Sequence, residues 1–221
     1  MSEKFKNLLF DLDGTIIDPK VGITKSIQYA LQKMGCEKIP SSDELTWCIG
    51  PPLVNSFPKL LGRDDIEPEF AQRGVDYYRE YFSEYGINEC HLYEDIKIVL
   101  EKLASSKKLR IFIATSKPTI YAVRILKRFQ IFDLFSGVYG SEMDGTFSNK
   151  AKLIEHIIKK EKLIAFESLM IGDREHDMIG AKTNNMLACG VLYGYGSEKE
   201  LTKAGASFIG KTPKDLLRFG F

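Results

Sequence analysis

Two aspartates separated by one residue follow an apolar run near the start of the chain, in the segment Asp11-Leu12-Asp13-Gly14-Thr15. Side chains alternate along an extended chain, so Asp11 and Asp13 are expected on the same side. Gly14 lets the backbone turn sharply, which allows the carboxylates to hold a hard cation and the amides to face an anion. Taken alone, the segment could also be a turn with capping aspartates.

Polar residues follow two later apolar runs as well. Thr115-Ser116-Lys117 comes after 111–114, and Asp173 comes after 169–171. Open α/β sheets bind ligands at the carboxyl ends of their strands, so we expect these residues to share one site with Asp11. Thr115 and Ser116 offer a hydroxyl and helix-start amides to a phosphate. Asp173 adds a hard oxygen ligand for a metal.

Lys150 stands near the start of a predicted helix at 151–160. It can place a positive charge beside the carboxylates and a phosphate, where it would offset their mutual repulsion. Without the neighbouring motifs, the same lysine would be interpreted as an ordinary surface residue. The presence of Asp11, Asp13 and Asp173 is what gives it a predicted chemical role.

The apolar runs are short and end in small or polar residues, which is typical of buried parallel strands. Between them lie sequences with the period of amphipathic helices. Strands that alternate with helices indicate an α/β fold with a doubly wound sheet. The predicted strands are 8–12, 111–114, 169–171 and 187–192, and the predicted helices are 95–103, 120–129, 151–160 and 177–185.

The stretch from 19 to about 90 interrupts this alternation because it contains no convincing strand. We expect a separate helical module there, with helices at 22–34, 53–61 and 69–85 and a turn or two at 43–48. Trp47, the only tryptophan, could stack on a base or belong to the core of the module. The aromatic residues of the last helix recur at roughly helical spacing and predict a core stripe, which comprises Phe70, Tyr77, Tyr78, Tyr81, Phe82 and Tyr85.

The 221 residues include 31 basic and 30 acidic ones, for a formal net charge of +1. This balance lacks the basic surface that neutralises nucleic-acid phosphates, so no nucleic-acid partner is expected. The four cysteines are widely spaced, which favours reduced thiols over zinc binding or disulfides. No apolar stretch suggests a signal peptide or a membrane span. We therefore expect a cytoplasmic protein with no membrane partner.

At these motifs the sequence resembles the haloacid dehalogenase superfamily, whose four motifs occur here in order as DLDGT, TSK, Lys150 and GDREHD. The resemblance implies a Rossmann-like α/β core, with a doubly wound parallel sheet, at 1–17 and 91–221. The segment 18–90 would be an inserted α-helical cap domain, hinged near Asp18 and His91.

The resemblance also implies a role for each matching residue. Asp11 would be the nucleophile, and Asp13 would be the general acid and base. The implied phosphate-binding groups are Thr115, Ser116, Gly14 and Lys150, the implied Mg2+ ligands are Asp11, the backbone carbonyl of Asp13 and Asp173, and Asp177 is in a supporting position.

These roles imply a Mg2+-dependent phosphatase that hydrolyses a small phosphorylated metabolite through an aspartyl-phosphate intermediate. The sequence looks most like the phosphoglycolate phosphatase and 5'-nucleotidase branch, so the expected substrate is a 5'-nucleotide, phosphoglycolate or a sugar phosphate. Two alternatives stay open, namely a phosphomutase that uses the same intermediate and a catalytically silent phosphometabolite-binding protein. A monomer and a homodimer are equally compatible with the sequence.

Overall fold

The structure, a computed structural model, describes residues 5–62 and 67–219. The chain divides into two compact units, of which the first comprises Met1–Asp18 with Leu92–Phe221 and the second comprises Pro19–His91. The strands are β1 (Asn7–Phe10), β2 (Ile17–Asp18), β3 (His91–Leu92), β4 (Arg110–Pro118), β5 (Gly137–Ser141), β6 (Ser168–Gly172), β7 (Leu187–Val191) and β8 (Phe208–Gly210). The helices are α1 (Lys20–Lys33), α2 (Leu53–Leu60), α3 (Pro68–Glu84), α4 (Ile96–Ser105), α5 (Thr119–Arg128), α6 (Lys150–Glu161), α7 (Glu175–Thr183) and α8 (Glu198–Ala204).

The first unit is built on a parallel sheet with the strand order β5-β4-β1-β6-β7-β8. β1 lies between β4 and β6, with Leu9 opposite both Phe112 and Met170. The strand order reverses at β1, and the carboxyl end beside such a reversal is where α/β sheets bind ligands. The predicted α/β fold with a doubly wound sheet is therefore confirmed.

Both faces of this sheet are covered. Neighbouring side chains of a strand point to opposite faces, yet Leu8, Leu9 and Phe10 are all 0% exposed. On one face, Leu9 belongs to a cluster that includes Leu153 of α6 and Met178 of α7. The backbone that leads into Asp11 is thus held by packing on both sides, which is the rigidity that a reacting side chain needs.

Two strands of the sheet, β5 and β8, were not predicted from the sequence. β5 contains two glycines among its five residues, and β8 has three residues and ends in a glycine. Glycine weakens strand preference, so both segments lack the β-branched, continuously apolar character of the other strands. They form at the edges of the sheet because a neighbouring strand is already in place.

The second unit contains α1, α2 and α3, close to the helices that the sequence predicts. The aromatic stripe of α3 is only partly buried, with Tyr78 at 6% and Phe82 at 2% exposure but Phe70 and Tyr85 on the surface. The prediction of a continuous core stripe was wrong at those two ends. Trp47 is 38% exposed, so the core interpretation of this residue was wrong as well.

The short strands β2 and β3 pair with each other in a separate two-stranded sheet at the two points where the chain passes between the units. Within the described ranges, none of the helices is both long and apolar enough to cross a membrane.

Candidate active site

Three buried carboxylates meet at the carboxyl edge of the main sheet. Asp11 directly follows β1, Asp173 directly follows β6, and Asp177 lies in the first turn of α7. One carboxylate oxygen from each of the three lies within 4.8 Å of the others. The structure therefore brings together Asp11 and Asp173, as the sequence predicts, and adds the carboxylate of Asp177 to the same cluster.

Lys150 is the cation of this cluster. Its Nζ lies 3.0 Å from Asp11 Oδ1 and 2.8 Å from Asp177 Oδ1, and it donates a hydrogen bond of 2.8 Å to the carbonyl oxygen of Ala114. Two carboxylates and one carbonyl oxygen therefore surround the ammonium group. Burial by itself would lower the pKa of Lys150, but the charges of Asp11 and Asp177 outweigh it and raise the pKa above its ordinary value.

Asp13 pairs with Lys117, the lysine of the TSK motif, for which the sequence predicted no role of its own. Lys117 Nζ lies 2.7 Å from Asp13 Oδ2 and 2.9 Å from Asp13 Oδ1, and the two side chains are only 5% and 10% exposed. Burial raises the pKa of Asp13, the charge of Lys117 opposes that rise, and the charge of Asp11 adds to it. The net rise favours a carboxyl group that can give and take a proton.

A signal for Lys117 was present in the sequence. Lys117 stands two residues after Thr115 in the sequence, and both belong to β4. Side chains two positions apart on an extended chain are expected on the same side. The hydroxyl of Thr115 accepts a hydrogen bond of 3.2 Å from the backbone N–H of Lys117. A lysine at that spacing from a predicted phosphate ligand was therefore a candidate for the same site.

The environment of Asp173 fits a divalent cation. Its Oδ1 is buried and has no hydrogen-bond partner among the described residues, while its Oδ2 accepts a hydrogen bond of 2.8 Å from the backbone N–H of Tyr195. Burial, followed by the charges of Asp11 and Asp177, raises the pKa of Asp173 well above its usual range. An unpartnered hard oxygen beside two other carboxylates is a donor set suited to Mg2+.

Gly14 leaves room for this carboxylate. Its φ is +80°, and a Cβ atom built on it would lie 2.2 Å from Asp173 Oδ2, so a larger residue could not stand there without displacing Asp173. The backbone N–H of Gly14 donates to the carbonyl oxygen of Ile17 at 2.8 Å and so closes the turn after the aspartates. Its assignment to phosphate binding stays a prediction.

The remaining predicted residues lie around the same edge. Thr115 is 1% exposed, and Ser116 accepts a hydrogen bond of 3.0 Å at its carbonyl oxygen from the Ser141 hydroxyl. Asp177 Oδ2 accepts a hydrogen bond of 3.2 Å from the backbone N–H of Arg174, which caps the start of α7. Asp177 thus supports Lys150 with one oxygen and fixes its own helix with the other.

The chain belongs to the haloacid dehalogenase-like hydrolase family, whose model matches residues 8–191. That range contains each carboxylate and lysine described above. The resemblance predicted from the DLDGT, TSK, Lys150 and GDREHD motifs is therefore confirmed, and so is the assignment of the chain to the hydrolases.

Relatives with named activities match most of the chain. A protein named 5'-nucleotidase from Pseudomonas aeruginosa is 42% identical over 198 residues, which are 90% of this chain and 87% of that protein. A protein named phosphoglycolate phosphatase from Aliivibrio fischeri is 26% identical over 98% of this chain and 97% of its own. Tyrosine-protein kinase PtkA from Mycobacterium tuberculosis is 32% identical over 91% of this chain and 67% of its own.

A solved structure has the same fold over nearly the whole length. The crystal structure of a predicted phosphatase from Clostridium acetobutylicum matches with a TM-score of 0.91 and 37% sequence identity, and the match covers 97% of each chain. The arrangement of strands and helices described above thus matches that of a solved structure.

Proposed function

We propose that this protein is a Mg2+-dependent phosphatase that hydrolyses a small phosphomonoester by way of a phosphorylated Asp11. The observation that carries the proposal is the buried cluster of Asp11, Asp173 and Asp177 around Lys150, in which Asp173 Oδ1 has no partner among the described residues. Buried negative charge of this density is unfavourable unless a cation offsets it, and a bound divalent cation would do so. Asp11 and Asp173, with the backbone carbonyl of Asp13, would hold that cation.

In the first step, a carboxylate oxygen of Asp11 attacks phosphorus and forms a P–O bond as the bond from phosphorus to the ester oxygen breaks. Bound Mg2+ would supply positive charge that offsets the repulsion between the attacking carboxylate and the phosphate. Lys150, whose Nζ is 3.0 Å from Asp11 Oδ1, supplies a second positive charge at the same place. The Thr115 hydroxyl binds a phosphate oxygen and orients the group for attack.

The departing alkoxide takes its proton from Asp13, whose pKa is raised chiefly by burial. In the second step Asp13, now ionised, accepts a proton from water while that water attacks the phosphorus of phospho-Asp11. The P–O bond to Asp11 breaks, Asp11 is regenerated as a carboxylate, and inorganic phosphate leaves. Covalent catalysis of this kind splits one difficult displacement into two easier ones.

Among the substrates considered, a 5'-nucleotide has the strongest support, because the relative at 42% identity is named 5'-nucleotidase. Phosphoglycolate and sugar phosphates are the other members of the class. A phosphomutase and a silent binding protein use the same groups but would not release phosphate with turnover.

The direct experiment measures phosphate release from nucleoside monophosphates, phosphoglycolate, sugar phosphates and p-nitrophenyl phosphate, with Mg2+ and with EDTA. We expect release with Mg2+ only, and we expect Asp11→Asn to abolish it while exposed Asp144→Asn leaves it unchanged. Asp13→Asn should lower kcat by roughly 10^2 to 10^4, the usual contribution of a general acid and base. Equal rates for the wild type and Asp11→Asn would refute the proposal.

A parallel arm addresses the relatives named as a tyrosine kinase. The protein is incubated with ATP labelled at the γ-phosphate, and phosphotyrosine in the protein is compared with released inorganic phosphate. The proposed phosphomonoesterase leaves its tyrosines unlabelled, whether or not it also releases phosphate from the phosphoanhydride of ATP. Stable labelling of tyrosine would instead assign protein phosphotransfer to this chain.

A further inference from the structure

The segment Tyr193–Ser197, which we call the tyrosine loop, lies against both aspartate motifs. The backbone N–H of Tyr195 donates to Asp173 Oδ2 at 2.8 Å. A Cβ atom at Gly194 would lie 2.2 Å from the carbonyl oxygen of Gly14, and one at Gly196 would lie 1.9 Å from that of Asp173. The backbone of the loop can approach the site this closely only because both residues are glycines.

The side chain of Tyr195 reaches a different part of the first unit. Its phenol donates a hydrogen bond of 2.5 Å to Oδ1 of Asp18, the last residue of β2. Tyr93, which directly follows β3, packs edge-on against the ring of Tyr193 in the same loop, with the ring centroids 5.0 Å apart. The backbone N–H of Tyr93 in turn donates to the carbonyl oxygen of Ile16 at 3.1 Å. Tyr195 thus contacts both the acidic cluster and the first chain segment that connects the units, and Tyr193 of the same loop contacts the second.

We propose that Tyr195 is a positioning residue for the metal site, in which its phenol, held by Asp18, fixes the loop amide that orients the Asp173 carboxylate. The proposal rests on the proposed metal-dependent function. Its physical basis is that the tyrosine loop is not paired as a strand of the sheet. The position of the Tyr195 amide therefore depends on how firmly contacts elsewhere in the loop hold the backbone. Groups that orient metal ligands commonly change metal affinity by about 10-fold to 100-fold when they are removed.

The loop provides its own control. Tyr193 carries a buried phenol oxygen that has no hydrogen-bond partner among the described residues, so Tyr193→Phe removes a hydroxyl from the same loop without breaking a described bond. Tyr195→Phe removes the bond to Asp18 and keeps the backbone amide. Asp18→Asn keeps an acceptor oxygen for the phenol, whereas Asp18→Ala removes it.

The experiment measures Mg2+ binding by calorimetry without substrate, and hydrogen exchange at the Tyr195 amide in metal-free protein. We expect Tyr195→Phe and Asp18→Ala each to weaken Mg2+ affinity by about tenfold and to accelerate that exchange. Tyr193→Phe and Asp18→Asn should resemble the wild type, and the double variant Tyr195→Phe/Asp18→Ala should be no weaker than either single one.

Wild-type affinity and exchange in Tyr195→Phe would overturn the proposal, as would losses that add in the double variant. Neither measurement requires turnover. A failure of phosphate hydrolysis is therefore distinguishable from a failure of this positioning role.

Discussion

Lys117 Nζ contacts both carboxylate oxygens of Asp13, at 2.7 Å from Oδ2 and 2.9 Å from Oδ1, in a setting where neither side chain is more than 10% exposed. The proposed general acid and base therefore has a cation of its own, separate from Lys150. Each lysine pairs with different carboxylates, because Lys150 contacts Asp11 and Asp177 while Lys117 contacts Asp13.

Lys117→Met should raise the pKa of Asp13 further, because the positive charge that opposes its rise is removed. The pH profile of kcat should shift to higher pH, and kcat at neutral pH should fall by about tenfold or more. Exposed Lys152→Met is the matched control and should keep both the profile and the rate. An unshifted profile in Lys117→Met would mean that Asp13 does not carry the proton.

Lys150→Met should be costly to stability as well as to activity. The change leaves the buried carboxylates of Asp11 and Asp177 without their shared partner, and breaking a buried ion pair typically costs about 3–5 kcal/mol. Urea denaturation in EDTA measures the free energy of unfolding. Lys150→Met/Asp177→Asn should recover part of the loss, and a double variant as unstable as the single one would contradict the pairing.

The acidic cluster predicts an unusual pH dependence in metal-free protein. Burial raises the pKa of Asp173 well above the unfolded value near 3.8, so above that value the folded state holds a proton that the unfolded chain has released. The contribution of Asp173 to the free energy of unfolding should therefore fall as pH rises from about 4 through its folded-state pKa. Thermal unfolding in EDTA across this range measures the effect.

Asp173→Asn should flatten that pH dependence and raise the melting temperature in EDTA, because it removes a buried charge but keeps an acceptor for the Tyr195 amide. Saturating Mg2+ should reverse the slope in the wild type, since metal binding favours the ionised carboxylate. Asp144→Asn, at an exposed position, should not flatten it. A wild-type slope in Asp173→Asn would be inconsistent with this account.

A comparison of Gly14→Ala with Gly35→Ala distinguishes the effect of backbone strain from the effect of a side chain that intrudes on Asp173. Gly14 and Gly35 have φ values of +80° and +79°, but a Cβ atom at Gly14 would lie 2.2 Å from Asp173 Oδ2 whereas one at Gly35 would meet nothing within 4 Å. In both alanine variants the free energy of unfolding should fall by about 1–2 kcal/mol, because alanine is strained in the left-handed backbone conformation. Only Gly14→Ala should also lose Mg2+ binding and activity, and equal activity in the two variants would contradict the close approach.

Much of this site could be predicted from the sequence because its key residues directly follow apolar runs. Asp11 and Asp173 come after β1 and β6, and neighbouring parallel strands necessarily bring such positions together. The position of Lys150 was harder to predict from the sequence, because it depends on how α6 packs against the sheet. The resemblance to a family assigned it a role, and the structure places it within ion-pair distance of Asp11.

Other features depend on tertiary packing that residue patterns do not report. β5 and β8 carry too few strongly apolar residues to stand out, and their pairing depends on an existing neighbour. Tyr195 lies in a loop, and its contacts with Asp173 and Asp18 join positions that are distant in sequence. The burial of the α3 aromatics was overestimated because helical spacing predicts a face but not how far a neighbouring helix covers it.

The most direct test of the central claim is the site of phosphorylation. The protein is mixed with Mg2+ and substrate, quenched rapidly in acid and digested, and the peptides are analysed by mass spectrometry with and without hydroxylamine. We predict one phosphoryl group on Asp11, sensitive to hydroxylamine as an acyl phosphate is, and no such group in Asp11→Asn. Turnover with a phosphoryl group on any other residue, or turnover that persists in Asp11→Asn, would contradict the proposed mechanism.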